Sequence, residues 1–279
     1  MTQTYENAPR TAAARVSAGT SLAAFLLDGS HFVGRQVRAL LRQPAFLVIT
    51  LVQPVIWLLL FGQLFKRVSE IPGFATGSYV AFLTPGIVVM TALFSSGWAG
   101  MGFIIDMERG VLNRFLVTPA PRGSLIAGNL GYLALTSVIQ SLIIIGLGLA
   151  TGARFPGGPG SLAALIGCAV LLAAAFGSFS NALALLLRSQ ESVISVAQLL
   201  VLPLSFLSSS LMPENLLPGW IHGVARFNPV NWAVVAGRET LHQDVDWGIV
   251  ASRASWLLLL ALACGWLSTR AFRAYQRSV

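Results

Sequence analysis

Charge is what this 279-residue sequence has least of: 10% of its residues are Asp, Glu, Lys or Arg, against about 25% in a soluble domain. With 55% hydrophobic residues and a mean hydropathy of +0.74, so little charge excludes a single soluble core and leaves the lipid bilayer as solvent for much of the chain. Lysine is nearly absent, Lys66 being the only one among 18 basic residues. A P-loop requires a lysine followed by Ser or Thr, whereas Lys66 stands between Phe65 and Arg67, so the chain cannot hold nucleotide phosphates by that motif. Cysteine is scarce as well: Cys168 and Cys264 each lie in an apolar run, where a thiol behaves as a small hydrophobe, and no disulfide framework is implied. His31, His222 and His242 are too scattered for a ligand cluster, so no metal site is expected. No histidine lies in an apolar run to activate the serine-rich stretch Gly177–Asn181, which argues against an intramembrane hydrolase.

What the sequence does have is six apolar runs near the 20 or so helical residues that cross a bilayer core, at about 44–65, 79–105, 125–150, 161–187, 193–211 and 250–269. The first five hold no ionisable acid or base, and the sixth carries Arg253 near its outer end. The net charge of +8 does not gather into a stripe with interleaved aromatics, so no nucleic-acid partner is expected. The arginines flank the runs instead. The N-terminal region, the loop 106–124, Arg188 and the C-terminal tail together hold 12 basic residues, the alternate loops 6. Positive charge is retained on the cytoplasmic side, which places both termini there. Residues 1–21, rich in Ala, Thr and Arg, read as a disordered tail, and no cleavable signal is expected. Over 22–43, a helical pitch gathers Leu22, Phe25, Leu26, Phe32, Val33, Val37 and Leu40 opposite Asp28, His31, Arg35, Arg38 and Arg42. That division suits a helix lying on the cytoplasmic membrane surface, or one packed on a partner.

The loop 106–124 mixes charge with a helical apolar pattern, Val111, Leu112, Phe115 and Leu116 recurring beside Glu108, Arg109, Asn113 and Arg114 before Pro119 and Pro121 stop the helix. Composition alone allows an ordinary interfacial loop. The string E-R-G-V-L-N-R-F-L-V-T-P, however, resembles the cytoplasmic coupling segment of type-2 ABC export permeases, particularly the daunorubicin-resistance group. The resemblance covers nearly the whole chain and implies an all-α integral membrane fold: an amphipathic interfacial helix, six transmembrane helices and an external re-entrant hairpin between spans five and six. It implies coupling positions at Glu108, Arg109, Gly110, Leu112, Arg114, Leu116, Thr118, Pro119 and Arg122, docking on a separate ATP-binding subunit that holds ATP and Mg, with no cofactor in this chain. The sequence departs from the family pattern at Asn113, where an acid is common, and at Val111, where Thr is common.

A second likeness lies at 212–238, which resembles the family's external hairpin. Pro213, Pro218 and Pro229 cut this stretch into pieces too short to span, and Trp220 and Trp232 suit the headgroup zone. A plain extracellular loop with interface anchors is the other reading. Within the runs, Thr136, Ser137, Gln140 and Ser141 cluster in the third, while Ser192, Ser195, Gln198, Ser205 and Ser209 share one face of the fifth. Thr136, Ser137, Gln140, Ser195, Gln198, Ser205 and Ser209 are candidates for a substrate path, unless they only hold helices together.

The energy source follows by elimination. Without a P-loop the chain has no motor of that kind, and without a midplane ionisable group in a run it lacks the usual relay of an ion-coupled secondary transporter, the alternative reading. The expectation is the membrane subunit of an ATP-driven exporter in the bacterial inner membrane, not an enzyme by itself. The resemblance further implies work as a homodimer or with a paralogue, in contact with lipid, on a drug-like or lipid-like cargo, and the lack of fixed charge in the runs favours an amphipathic or apolar one.

Overall fold

The computed structural model describes residues 44–67, 78–108, 123–213 and 216–278. The tail 1–21, the expected interfacial helix 22–43 and the coupling positions Arg109, Gly110, Leu112, Arg114, Leu116, Thr118, Pro119 and Arg122 lie outside them. The described chain folds into nine α-helices and one 3₁₀ turn, with no strand among the described residues: α1 (Pro44–Leu64), α2 (Tyr79–Gly97), α3 (Met101–Glu108), α4 (Gly123–Ala150), α5 (Gly158–Leu187), α6 (Gln190–Phe206), α7 (Gly219–Ala225), α8 (Pro229–Arg238), the turn Glu239–Leu241 and α9 (Trp247–Ser278).

Among the described residues four helical stretches are long and apolar enough to cross a membrane, Tyr79–Ile105, Gly128–Ala150, Gly158–Leu187 and Trp247–Tyr275. Two shorter apolar helices, Val48–Leu64 and Gln190–Phe206, fall on the first and fifth expected runs. Such runs become helices because only a helix satisfies its own backbone polar groups where water is absent.

α2 and α5 form the centre. α2 buries residues all round, including Phe82, Leu83, Ile87, Val88, Val89 and Leu93, and packs against α1, α4, α5, α6 and α8. α5 lies beside α2, α3, α4, α6, α8 and α9. Small residues allow the closest approaches, as expected where helices meet without a hydrophobic driving force. Gly86 of α2 lies so close to the turn after α6 that a Cβ there would run into the carbonyl oxygen of Ser210. Outward faces stay apolar: Val48, Ile49, Val52 and Ile56 on α1, and Trp256, Leu259, Leu262 and Trp266 on α9, are exposed, the pattern of a lipid-facing surface.

Three elements depart from the expected boundaries. The second run is not continuous, leaving the helix at Trp98–Gly100 and restarting as α3. The fifth run, expected to reach Leu211, stops at Phe206 because other groups claim the backbone there. Asn228 Nδ2 donates to the carbonyls of Leu204 at 2.7 Å and Leu207 at 2.9 Å, and Ser208 donates to the Ser205 carbonyl at 2.6 Å. α9 runs well past residue 269, because Ala271, Phe272 and Tyr275 continue its apolar stripe onto Phe103, Ile104, Leu185 and Val193.

Candidate functional site

A groove of about 380 Å³ opens between α1, α2 and α6. Trp57, Phe94, Trp98 and Phe206 supply aromatic surface, Thr50, Gln53, Ser95 and Gln198 supply neutral polar atoms, and no charged side chain among the described residues lines it. A smaller cavity of about 40 Å³ shares Thr50, Gln53, Trp57, Phe94 and Ser95 with it and adds Pro54, Ile87, Met90 and Thr91. Neutral amides and hydroxyls beside aromatic faces suit a ligand with both an apolar body and hydrogen-bonding groups.

Gln140 of α4 organises the polar part of this wall from behind. Its side chain is 1% exposed; it accepts from Ser95 Oγ at 3.0 Å through Oε1 and donates to Thr50 Oγ1 at 3.2 Å through Nε2. Of the path residues expected from sequence, only Gln198 lines the groove. Ser195 is exposed on the same helix stripe, its hydroxyl turned back onto the Glu191 carbonyl at 2.8 Å. Thr136 is buried and bonds its own helix at the Tyr132 carbonyl, 2.9 Å away, and Ser137 is buried with no hydrogen-bond partner among the described residues. Ser205 closes onto the Val201 carbonyl at 2.7 Å. Ser209 does not share the α6 face at all, since it lies beyond the helix end in the turn fixed by Asn228.

That turn holds the feature the sequence reading missed. Arg238, one of the 6 basic residues of the alternate loops, ends α8 half-buried inside the bundle. Its guanidinium lies 3.9 Å from the centroid of the Phe82 ring and donates to Ser209 Oγ at 2.9 Å and to the Ser209 carbonyl. Asn231 Oδ1 accepts from Ser209 N–H at 2.9 Å and from its hydroxyl at 2.6 Å. The signal was present in α8, where Val230, Ala233, Val234 and Gly237 form a buried stripe and Arg238 follows directly. Of the hairpin residues, Pro218 caps α7 and Pro229 opens α8, where proline's missing N–H costs nothing. Trp220 is exposed, and Trp232 donates Nε1 to the Arg226 carbonyl at 2.8 Å while its ring meets Trp256 at 6.0 Å. Pro213 lies just past the α6 turn, outside any helix.

At the other end of the bundle α3 leads into the segment expected to couple. Glu108, its one described coupling position, sits at the end of α3 and accepts from Gln190 Nε2 at 3.1 and 3.2 Å, tying α3 to the first residue of α6. Arg188 closes α5 in the left-handed region, φ 53°, and its guanidinium stacks 4.9 Å from the Tyr275 ring of α9.

The family model described as ABC-2 type transporter matches residues 30–242. A protein of Cyanophora paradoxa described as transport permease ycf38 is 33% identical over 211 residues, 75% of this chain and 72% of that one. The daunorubicin resistance ABC transporter permease protein DrrB1 of Streptomyces coeruleorubidus is 28% identical over 212 residues, 75% of this chain and 72% of its own. The inner membrane transport permease YadH of Escherichia coli is 25% identical over 193 residues, 66% of this chain and 72% of its own. With its membrane-crossing helices and a match extending over most of its length, the chain belongs to the ABC-2 type transporter family of membrane permeases.

Proposed function

We propose that the chain is the membrane subunit of an ATP-driven exporter that moves an amphipathic or apolar, drug-like or lipid-like molecule out of the cytoplasm or the inner leaflet. A separate subunit binds ATP and Mg and docks on the segment 106–124. α1 and α6 complete a set of six spans, both termini face the cytoplasm of a bacterial cell, and the stretch 212–238 dips back from the outer face as a hairpin. The groove opens toward a second permease copy or a paralogue.

The observation that carries this reading is the groove itself, an aromatic and neutral-polar wall between α1, α2 and α6 in a chain of a permease family. A relative named for daunorubicin resistance supports an amphipathic cargo. The internal cation does not favour ion coupling, because an arginine keeps its proton at physiological pH and acts as a fixed charge rather than a relay. The test is reconstitution in liposomes with and without the ATP-binding subunit, following uphill movement of a neutral amphipathic dye. Transport confined to a highly charged soluble solute contradicts the cargo class. Reversing charge at both Glu108 and Arg114 is expected to abolish retention of the ATP-binding subunit in a pull-down, and full retention counts against docking on that segment.

A further inference from the structure

Tyr79–Ile105 is long enough to be one uninterrupted span, yet the helix stops at Gly97 and restarts at Met101. No proline causes the break, since the one proline of α2 is Pro85, three turns earlier. In a continuous helix the Gly97 carbonyl would accept from Met101 N–H and Gly100 N–H would reach the Ser96 carbonyl. Here Met101 N–H goes to the Trp98 carbonyl at 3.1 Å, and Ala99 N–H takes the Ser96 carbonyl at 3.1 Å. Both freed groups are taken by a single side chain of α5. Ser180 Oγ donates to the Gly97 carbonyl at 2.7 Å and accepts from Gly100 N–H at 3.0 Å, at 2% exposure. Asn129 of α4 adds a contact from Nδ2 to the Ala99 carbonyl at 3.5 Å and holds Asn181 Oδ1 at 2.9 Å. Gly100 is pressed against the same serine, so that a Cβ there would meet the Ser180 carbonyl oxygen.

A side chain inserted into the helix ladder is a recognised cause of a sharp kink, and inside hydrocarbon every freed backbone group needs such a partner. One hydroxyl that grips both sides of the break keeps the backbone satisfied where the helical ladder is interrupted. Before the break Phe94 and Ser95, and at its first residue Trp98, wall the groove; after it, α3 ends at Glu108. We propose that Ser180 is a positioning residue of the transport cycle, the pin of a joint that carries movement of α3 to Trp98 and the groove wall. The inference rests on the proposed function, because force must enter beyond α3.

The test uses the full chain in lipid nanodiscs, with spin labels at Gly102→Cys, where a side chain meets nothing within 4 Å, and at exposed Leu199→Cys on α6. Cys168 and Cys264 are replaced by alanine, and labelled chains are diluted with unlabelled ones. The Ser180→Ala variant should broaden the distance distribution, and Ser180→Thr, which keeps the hydroxyl, should restore it. In the complex with its ATP-binding subunit, transport per ATP should fall about tenfold in Ser180→Ala and recover in Ser180→Thr, while hydrolysis persists. An unaltered distribution in Ser180→Ala overturns the joint whatever the ATPase does, and a broadened one with undiminished transport per ATP overturns its place in the cycle. Should Ser180→Ala fail to fold, Asn129→Ala must lower transport per ATP in the same direction, and no change there overturns the proposal. A wild-type chain that pumps unaided removes the proposed function and this role with it, a result seen before any substitution is made.

Discussion

Arg238 sets the terms at the scale of single residues. Its charge rests on the Phe82 face and its donors close on Ser209, so the turn after α6, the end of α8 and the start of α2 share one fastening. Truncation to alanine leaves the Ser209 carbonyl in a protein interior without this donor, and Arg238→Ala should lose about 1–3 kcal/mol in a denaturation series in detergent micelles. Arg238→Lys should recover less than half, because an ammonium group lacks the planar fork that stacks and donates twice. Equal stability of all three proteins would contradict the fastening. Asn228→Ala makes a second case: it removes the donor to the Leu204 and Leu207 carbonyls and should cost about 1–3 kcal/mol by the same measurement. Neither role was legible in the chain order. Composition identifies an arginine beside an apolar run, but whether it faces water or another helix is decided by how α8 packs on α2, a contact far apart in sequence.

Among the elements, glycine separates tight from open helix surfaces. Gly86→Ala drives a Cβ into the Ser210 carbonyl and should displace the turn that Arg238 holds, seen as a loss of folded protein on size-exclusion chromatography. Gly146→Ala, where a Cβ meets nothing within 4 Å, should leave folding intact and gain up to about 1 kcal/mol from helix propensity. If the two behave alike, the close approach of α2 to that turn is wrong. The apolar helices fall where hydropathy puts them, because the demand for a satisfied backbone in lipid acts locally along the chain. Their interruptions do not announce themselves in this way. The run through Trp98–Gly100 carries no charge and no proline at its break, which depends on Ser180, a residue 80 positions away from Gly100. The end of α6 at Phe206 likewise depends on Asn228, beyond the serine turn.

At the scale of the molecule, the groove is a shape made by three helices, and sequence could name only one of its lining residues, Gln198, as a path candidate. Periodicity marks polar positions but not which of them meet across helices, which is why Gln140 proves to stand behind the wall rather than in it. The family was legible earlier, because the segment after the second run carries its pattern in consecutive residues. The described walls of the groove are neutral, and the sequence carries no P-loop motif. The most direct measurement is uphill dye transport by the purified chain in liposomes under a full ion gradient, first alone and then with the ATP-binding subunit and ATP. The account predicts no accumulation in the first case and ATP-dependent accumulation in the second; accumulation by the chain alone would contradict it.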